Sequence, residues 1–183
     1  MKFTELPLKD AYVVEIEAFE DQRGMFERIY CENEFNEINL SKRIVQINYS
    51  HTNRKGSVRG MHYQNPPMTE IKMVKCLRGS VYDVIIDLRN GSDTLLKWHG
   101  ETLSSENKRM IYIPEGFAHG LQTLEPNSEL LYFHTEFYSP DSEEAVRFDD
   151  PRIRIKWPLN VTEISKKDKN HSLLPKNCVG IMF

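Results

Sequence analysis

Turn signals punctuate this chain so often that no long helix fits between them. They stand at Asp21-Gln22-Arg23-Gly24, Arg54-Lys55-Gly56, Asn65-Pro66-Pro67, Arg78-Gly79, Asn90-Gly91-Ser92 and Pro114-Glu115-Gly116. Clusters of glycine, proline and asparagine supply the backbone angles that reverse a chain. The stretches between them have strand length: Val81 to Leu88 is rich in β-branched residues and runs into Asn90-Gly91, and Met110 to Ile113 and Leu130 to Tyr138 have the same character. Many short strands without amphipathic helices between them predict an all-β sandwich or barrel rather than an α/β sheet. Helix is expected in two places only, a short segment from Asn33 to Leu40 and a turn or two after Pro151. Neither a dinucleotide-binding nor a phosphate-loop glycine pattern occurs. With 183 residues, 39% of them hydrophobic, the chain can bury a core without help from disulfides or metal. No repeat, low-complexity segment or linker divides it, so one domain over residues 1–183 is expected.

The net charge of −3, with no Lys/Arg run longer than a pair, gives no long-range attraction for polyanions, and nucleic acid is not an expected partner. No stretch approaches the ~20 apolar residues of a membrane span, and the N-terminal segment lacks the apolar core of a secretory signal. A cytoplasmic location without membrane partners is expected. Cys31, Cys76 and Cys178 are odd in number and show no CxxC spacing. They read as reduced, small buried hydrophobes rather than as a zinc or redox site.

Period-2 alternation along Leu130 to Tyr138 puts Leu130, Tyr132, His134, Glu136 and Tyr138 on one face, and Leu131, Phe133, Thr135 and Phe137 on the other. The second face is apolar and packs. The first carries titratable and phenolic groups, as suits a barrel interior that binds a polar ligand. Arg59-Gly60-Met61-His62-Tyr63-Gln64 is likewise polar for a buried strand. Pro114-Glu115-Gly116-Phe117-Ala118-His119 has the PxGxxH form of the second cupin motif, in which a Pro-Gly turn aims a histidine inward. Metal-binding cupins also need an HxH pair, and here the earlier strand offers His62-Tyr63-Gln64, so no metal is expected.

A longer string of motifs carries a resemblance. Asp21-x-Arg23-Gly24-x-Phe26-Glu27, Gln46-x-Asn48-x-Ser50, Arg59-Gly60-x-His62-Tyr63-Gln64, Lys72, Asp87-Leu88-Arg89-x-Gly91-Ser92, Pro114-x-Gly116-Phe117-Ala118-His119-Gly120, Tyr132, Tyr138-x-Pro140, Asp149-Asp150-Pro151, Trp157-Pro158 and Ser165-x-Lys167-Asp168 follow one another in this order. Over residues 21–168 the chain thus resembles the dTDP-4-dehydrorhamnose 3,5-epimerase family. The resemblance implies a cupin-type jelly-roll β-barrel with a few short helices, a homodimer that exchanges N-terminal strands, no metal or organic cofactor, and a nucleotide-linked 4-keto-6-deoxyhexose as substrate.

A ketone at C4 acidifies the protons on C3 and C5, and inversion needs a base, a partner that orients it, a cation near the enolate oxygen and an acid across the ring. By the resemblance, His62 is the base, Asp168 its orienting carboxylate, Lys72 the cation and Tyr132 the acid. Arg23, Phe26, Glu27, Gln46, Asn48 and Arg59 would hold base and phosphates, His119 the sugar or a phosphate, and Tyr138 and Lys167 the mouth. Two departures stand beside the pocket: Phe133 and His134 follow Tyr132 where the family often has Lys, and Leu121 follows His119-Gly120 where Phe is usual. They leave open whether C3 alone or both carbons are inverted, and whether the nucleotide is dTDP, CDP or GDP. A barrel that binds a sugar nucleotide without catalysis and a ketoisomerase are the rival readings. The tail from 169 onward carries Leu173, Leu174, Val179, Ile181 and Phe183 and is expected to cover a subunit surface.

Overall fold

A computed structural model describes residues 1–38, 40 and 42–182. Two sheets face each other. The first has the order β1 (Lys2–Glu5), β2 (Tyr12–Glu15), β10 (Arg109–Ile113), β7 (Lys72–Arg78), β12 (Ser128–His134), β5 (Gln46–Thr52). The second has β13 (Glu143–Ala145), β6 (Ser57–Gln64), β11 (Phe117–Thr123), β8 (Ser80–Asp87), β9 (Trp98–Ser104), with β14 (Glu163–Ile164) added in parallel to β6. From β5 to β12 the chain passes from one sheet to the other at almost every turn, only β8 and β9 staying together, which is the winding of a jelly roll. A separate hairpin joins β3 (Ala18–Asp21) to β4 (Gly24–Glu27).

Most of both faces of each sheet is covered, with Ile47 and Tyr49 on the outer face of β5 left exposed. Val74 and Cys76 of β7, Ile111 and Ile113 of β10 and Leu130 of β12 meet Val81 and Ile85 of β8, Leu103, Phe117 and Leu121 in the interior. Behind the first sheet, Met73, Met110, Tyr112 and Phe133 pack under Phe35, Ile38 and Leu40. Behind the second, Met61, Val84, Ile86 and Ala118 pack under Val146, Ile153, Trp157, Leu174 and Ile181. This double burial is why Val81 to Leu88 reads as a nearly unbroken apolar run rather than an alternating one.

The segment expected to be helical from Asn33 to Leu40 is one α-turn, α1 (Glu32–Phe35), followed by a 3-10 turn over Asn36–Ile38; Asn39 lies outside the described residues. After Pro151 there is a turn but no helix. Asp150 ties the backbone down by accepting from the Arg152 and Leu174 amides, and Arg154 takes a positive φ of 57° that a helix cannot contain. Helix appears instead at α2 (Lys166–Lys169), which the sequence reading did not anticipate. Strand β12 stops at His134, short of Tyr138, because the next residue, Thr135, bonds Ile71 through both its backbone and its hydroxyl. Of the cysteines Cys76 is buried, while Cys31 and Cys178 are only partly so. In the tail, Leu174 and Ile181 pack on this chain's own second sheet, Leu173 and Val179 are exposed, and Phe183 lies outside the described residues.

Candidate active site

The interior changes character along the strands. In the register of β12 with β7, Leu130 sits opposite Cys76, Tyr132 opposite Val74 and His134 opposite Lys72. The inward positions therefore grade from apolar to charged, and beside the charged ones a cavity of about 310 Å³ opens between the sheets. Gln46, Asn48 and Ser50 of β5, Lys72, Tyr132 and His134 line it from the first sheet; Arg59, His62, Gln64 and His119 line it from the second.

Arg59 and His62 are three residues apart and would point to opposite faces of a regular strand. Gly60 lies between them with φ at +106°, and the pairing of β6 with β11 slips between His119 and Leu121. A Cβ at Gly60 would lie 2.6 Å from the His119 carbonyl oxygen, so this irregularity, which brings both side chains to the cavity, requires glycine.

His62 Nε2 is 2.7 Å from Asp168 Oδ1. The acid arrives by a local device. β14 pairs with the start of β6, Ser165 then caps α2 by accepting the Asp168 amide at 2.9 Å, and this delivers Asp168 to the strand, where the Gly60 amide donates to Oδ2 at 3.3 Å. Burial works against the charge of Asp168, but the bonds from His62, Gly60 and Ser165 outweigh it and hold the carboxyl below its usual range. A carboxylate so placed fixes the tautomer of the imidazole and stabilises its cation.

On the facing sheet, Tyr132 accepts a bond of 3.4 Å from Ser50, and burial pushes its hydroxyl up to about 12, so it holds its proton well beyond neutral pH. Lys72 is not a lone charge. Glu70 lies 3.0 Å from its ammonium and 2.6 Å from His134 Nδ1. Burial opposes the ionisation of Glu70, yet the Lys72 charge and the His134 bond bring it down to about 2. His134 Nε2 is in turn 3.3 Å from the Asn48 amide nitrogen, whose carbonyl oxygen accepts from Gln46 at 3.3 Å. On the second sheet, His119 Nε2 is 2.8 Å from Asp83, a fully buried acid on β8.

At the rim, Tyr138 and Lys167 both donate to Glu143, and Arg59 donates to the Thr52 hydroxyl at 2.9 Å. Lys167 lies beside the cavity, in a neighbouring groove with Arg59, His62 and Asp168. Arg23, Phe26 and Glu27 are not brought to the cavity of their own chain. Arg23 is spent on Asp21 at the exposed tip of the β3–β4 hairpin, and Phe26 is 68% exposed. Glu27 pairs at 3.0 Å with Lys75, which lies between the inward-facing Val74 and Cys76 and so belongs to the outer face of the first sheet. Glu70, Asp83 and Glu143 were missed by the sequence reading. Asp83 had a signal, an acid in the middle of the apolar run of β8, well before the turn that Asp87 leads into. Among the described residues, one cluster has the donors and spacing to hold a metal ion: His62, Asp168 and His171.

An imidazole backed by a buried carboxylate on one wall and a protonated phenol with an ammonium on the other can take a proton from one side of a ligand and return one from the opposite side. The fold and cavity thus define an acid–base enzyme housed in a jelly-roll barrel. The chain belongs to the dTDP-4-dehydrorhamnose 3,5-epimerase family, whose sequence pattern matches residues 5–176. It is 40% identical to the dTDP-4-dehydrorhamnose 3,5-epimerase of Methanothermobacter thermautotrophicus over 97% of each chain. The dTDP-6-deoxy-D-glucose-3,5-epimerase of Legionella pneumophila, solved in complex with dTDP-4-keto-L-rhamnose, superposes with a TM-score of 0.90 at 36% identity, covering 94% of this chain and 92% of its own. The dTDP-4-dehydrorhamnose 3,5-epimerase of Bacillus anthracis, with TDP and PPi bound, superposes with a TM-score of 0.91 at 36% identity over 94% of this chain and 99% of its own.

Proposed function

We infer that this chain inverts C3 and C5 of dTDP-4-keto-6-deoxyglucose, giving dTDP-4-dehydrorhamnose, a step toward deoxysugar for surface polysaccharide. The observation that carries the reading is that His62 and Tyr132 line one cavity from opposite sheets. Inversion requires that arrangement, since the proton must leave one face of the sugar and return to the other.

In this mechanism His62, oriented by Asp168, removes the proton beside the ketone. Negative charge moves onto the C4 oxygen, where the Lys72 ammonium stabilises it. Because Glu70 already shares that ammonium, the field at the oxygen depends on the whole Lys72–Glu70–His134 group rather than on Lys72 alone. Tyr132 then delivers its proton from the far side. Every group the proton transfers need is a protein side chain, and no organic cofactor or metal takes part.

Gln46, Asn48, Arg59, His119, Tyr138 and Lys167 hold the sugar and phosphates of the substrate. Arg23, Phe26 and Glu27 belong to a hairpin that leaves Phe19 71% and Phe26 68% exposed. Apolar side chains so exposed on a hairpin outside both sheets suit contact with a second copy, and in a homodimer that exchanges this hairpin, β1 and β2 staying in their own sheet, they complete the nucleotide site of the partner. The enzyme works in the cytoplasm; no described helix is long and apolar enough to cross a membrane.

Incubation in D2O with dTDP-4-keto-6-deoxyglucose, and in parallel with its CDP and GDP counterparts, tests this by NMR at C3 and C5. Deuterium should enter both carbons of the dTDP sugar. Entry at C3 alone would make the protein a 3-epimerase, faster exchange with another nucleotide would change the substrate, and binding without exchange would leave a sugar-nucleotide-binding barrel.

A further inference from the structure

Three residues after Asp168, just past the end of α2, stands His171. Its Nε2 is buried and has no hydrogen-bond partner among the described residues. Its ring lies 6.4 Å from that of His62, centroid to centroid, at an interplanar angle of 73°. One donor atom each from His62, Asp168 and His171 falls within 4.8 Å of the other two. A buried polar atom left unpaired is destabilising, so this nitrogen is unfavourable where it stands unless something binds it. Two imidazoles and a carboxylate converging with an open position form the donor set of a zinc-class ion.

We propose that His62, Asp168 and His171 form an inhibitory site for a late first-row divalent cation, with zinc as the best fit. His171 follows the C-cap Asn170 of the helical turn that carries Asp168, and the chain leaving that turn brings its ring to the same place. His62 comes from the strand that turn packs against. Zinc bonds of about 2.1 Å in a tetrahedron set neighbouring ligand atoms about 3.4 Å apart. The 2.7 Å contact of His62 with Asp168 opens toward that value, and the wider separations close through rotation of the His171 ring. Magnesium and calcium prefer an all-oxygen shell and are excluded by the two imidazoles.

The inhibition follows from the two nitrogens of an imidazole, and this part rests on the reading of His62 as the base. In catalysis one nitrogen carries the proton held by Asp168 while the other offers its lone pair to the substrate. A cation on Nε2 leaves the single proton of the neutral ring on Nδ1. No lone pair then remains for the substrate, and the ion also takes the Asp168 carboxylate. Binding is reversible and adds no covalent step.

The test uses the full chain freed of metal with a chelator. Cobalt(II) is titrated in and followed by its tetrahedral d–d absorption, zinc binding is measured by calorimetry, and deuterium wash-in is recorded with rising zinc. Each variant is referred to its own zinc-free rate. Loss of outer-shell partners alone weakens metal sites by roughly 10–100-fold, so removing a ligand should weaken this one at least as much. The expected result is a cobalt band and zinc inhibition in the parent chain, both shifted to concentrations higher by that factor in His171→Ala, with magnesium inert. Absence of cobalt and zinc binding in the parent would overturn the site, as would a His171→Ala variant that binds and is inhibited equally well. Because the spectrum and calorimetry need no turnover, a chain that bound zinc yet exchanged no deuterium would keep the site and remove the epimerase reading instead.

Discussion

Two histidines face each other across β6 and β11, His62 and His119, and each has an aspartate behind it, yet the two pairs are built to different ends. The His62 side chain is 33% exposed, and its acid comes from a helical turn 106 residues further along the chain, with both carboxylate oxygens bonded. The His119 side chain is only 7% exposed, and its acid, Asp83, lies on the neighbouring strand, fully buried, with Oδ1 unpaired. The same two functional groups thus make a ring that can exchange a proton with a ligand and a ring pinned as a fixed hydrogen-bonding wall. Access, together with where the acid comes from, separates the two roles.

The contrast breaks most visibly on removal of the imidazoles. His62→Ala should lower deuterium wash-in by about 10²–10⁴-fold, the usual worth of a general base. His119→Asn keeps a donor toward Asp83 and should change the rate by no more than about tenfold, chiefly through KM, since binding contacts act there rather than on the chemical step. Equal losses in NMR-monitored exchange would mean that the two pairs are not functionally distinct. Tyr132→Phe comes next and separates two observables. His62 can still remove a proton and return a deuteron to the same face, so wash-in persists, while the yield of inverted sugar should fall by about 10²-fold, at the low end of general-acid effects. Inverted product at the parental rate would remove Tyr132 from the proton path.

The two aspartates sharpen the comparison further. Asp168→Asn preserves volume but cannot stabilise the imidazolium, and a fall in kcat smaller than that of His62→Ala is expected, with little change in a urea midpoint. Asp83→Ala should do the reverse. It strands the buried His119 nitrogen, which costs about 1–3 kcal/mol of stability, and the residual rate per folded molecule should stay within a few-fold of the parent. Urea denaturation and wash-in on the same preparations separate the two.

How much of this could be read from the sequence follows the same division. Strand positions, the polar face of Tyr132 and His134, and the inward aim of His119 depend on short-range periodicity and turn chemistry, which act within a few residues and are legible. The motif order also named Asp168, although nothing local marks it as a buried acid; its partner lies on a strand far back in the chain. Glu70 was invisible because its meaning comes from two partners, Lys72 and His134, that stand side by side on different strands. Arg23, Phe26 and Glu27 show the limit from the other side. Their motif was readable, but one chain does not bring them to its own cavity, and the homodimer proposed to use them is not something local sequence encodes. The missing helix after Pro151 is a similar case: long-range bonds to Asp150 and a left-handed Arg154 override local preference.

The smallest expected effect concerns the phenol that stands opposite His62. Burial pushes Tyr132 from 10.0 up to about 12, and it pushes Tyr112, on the outer side of the first sheet, to about 12 as well. In the unfolded chain both ionise near 10, so the unfolded state releases these protons first as the pH rises. Their contribution to stability is therefore fully present below about pH 10 and is lost as the pH climbs toward 12. Each pKa unit corresponds to about 1.4 kcal/mol, and solvent at the cavity reduces that for Tyr132, so a loss on the order of 1 kcal/mol from this residue is expected near pH 11. Urea midpoints measured on the parent and on Tyr132→Phe from neutral pH to pH 11 isolate the term, because phenylalanine cannot ionise in either state. The two curves should run parallel up to about pH 10 and converge or cross above it. A constant offset throughout would mean that the folded cavity lets the phenol ionise as freely as water does, and Tyr132 would then be no better a proton reservoir in the mildly alkaline range than an exposed tyrosine.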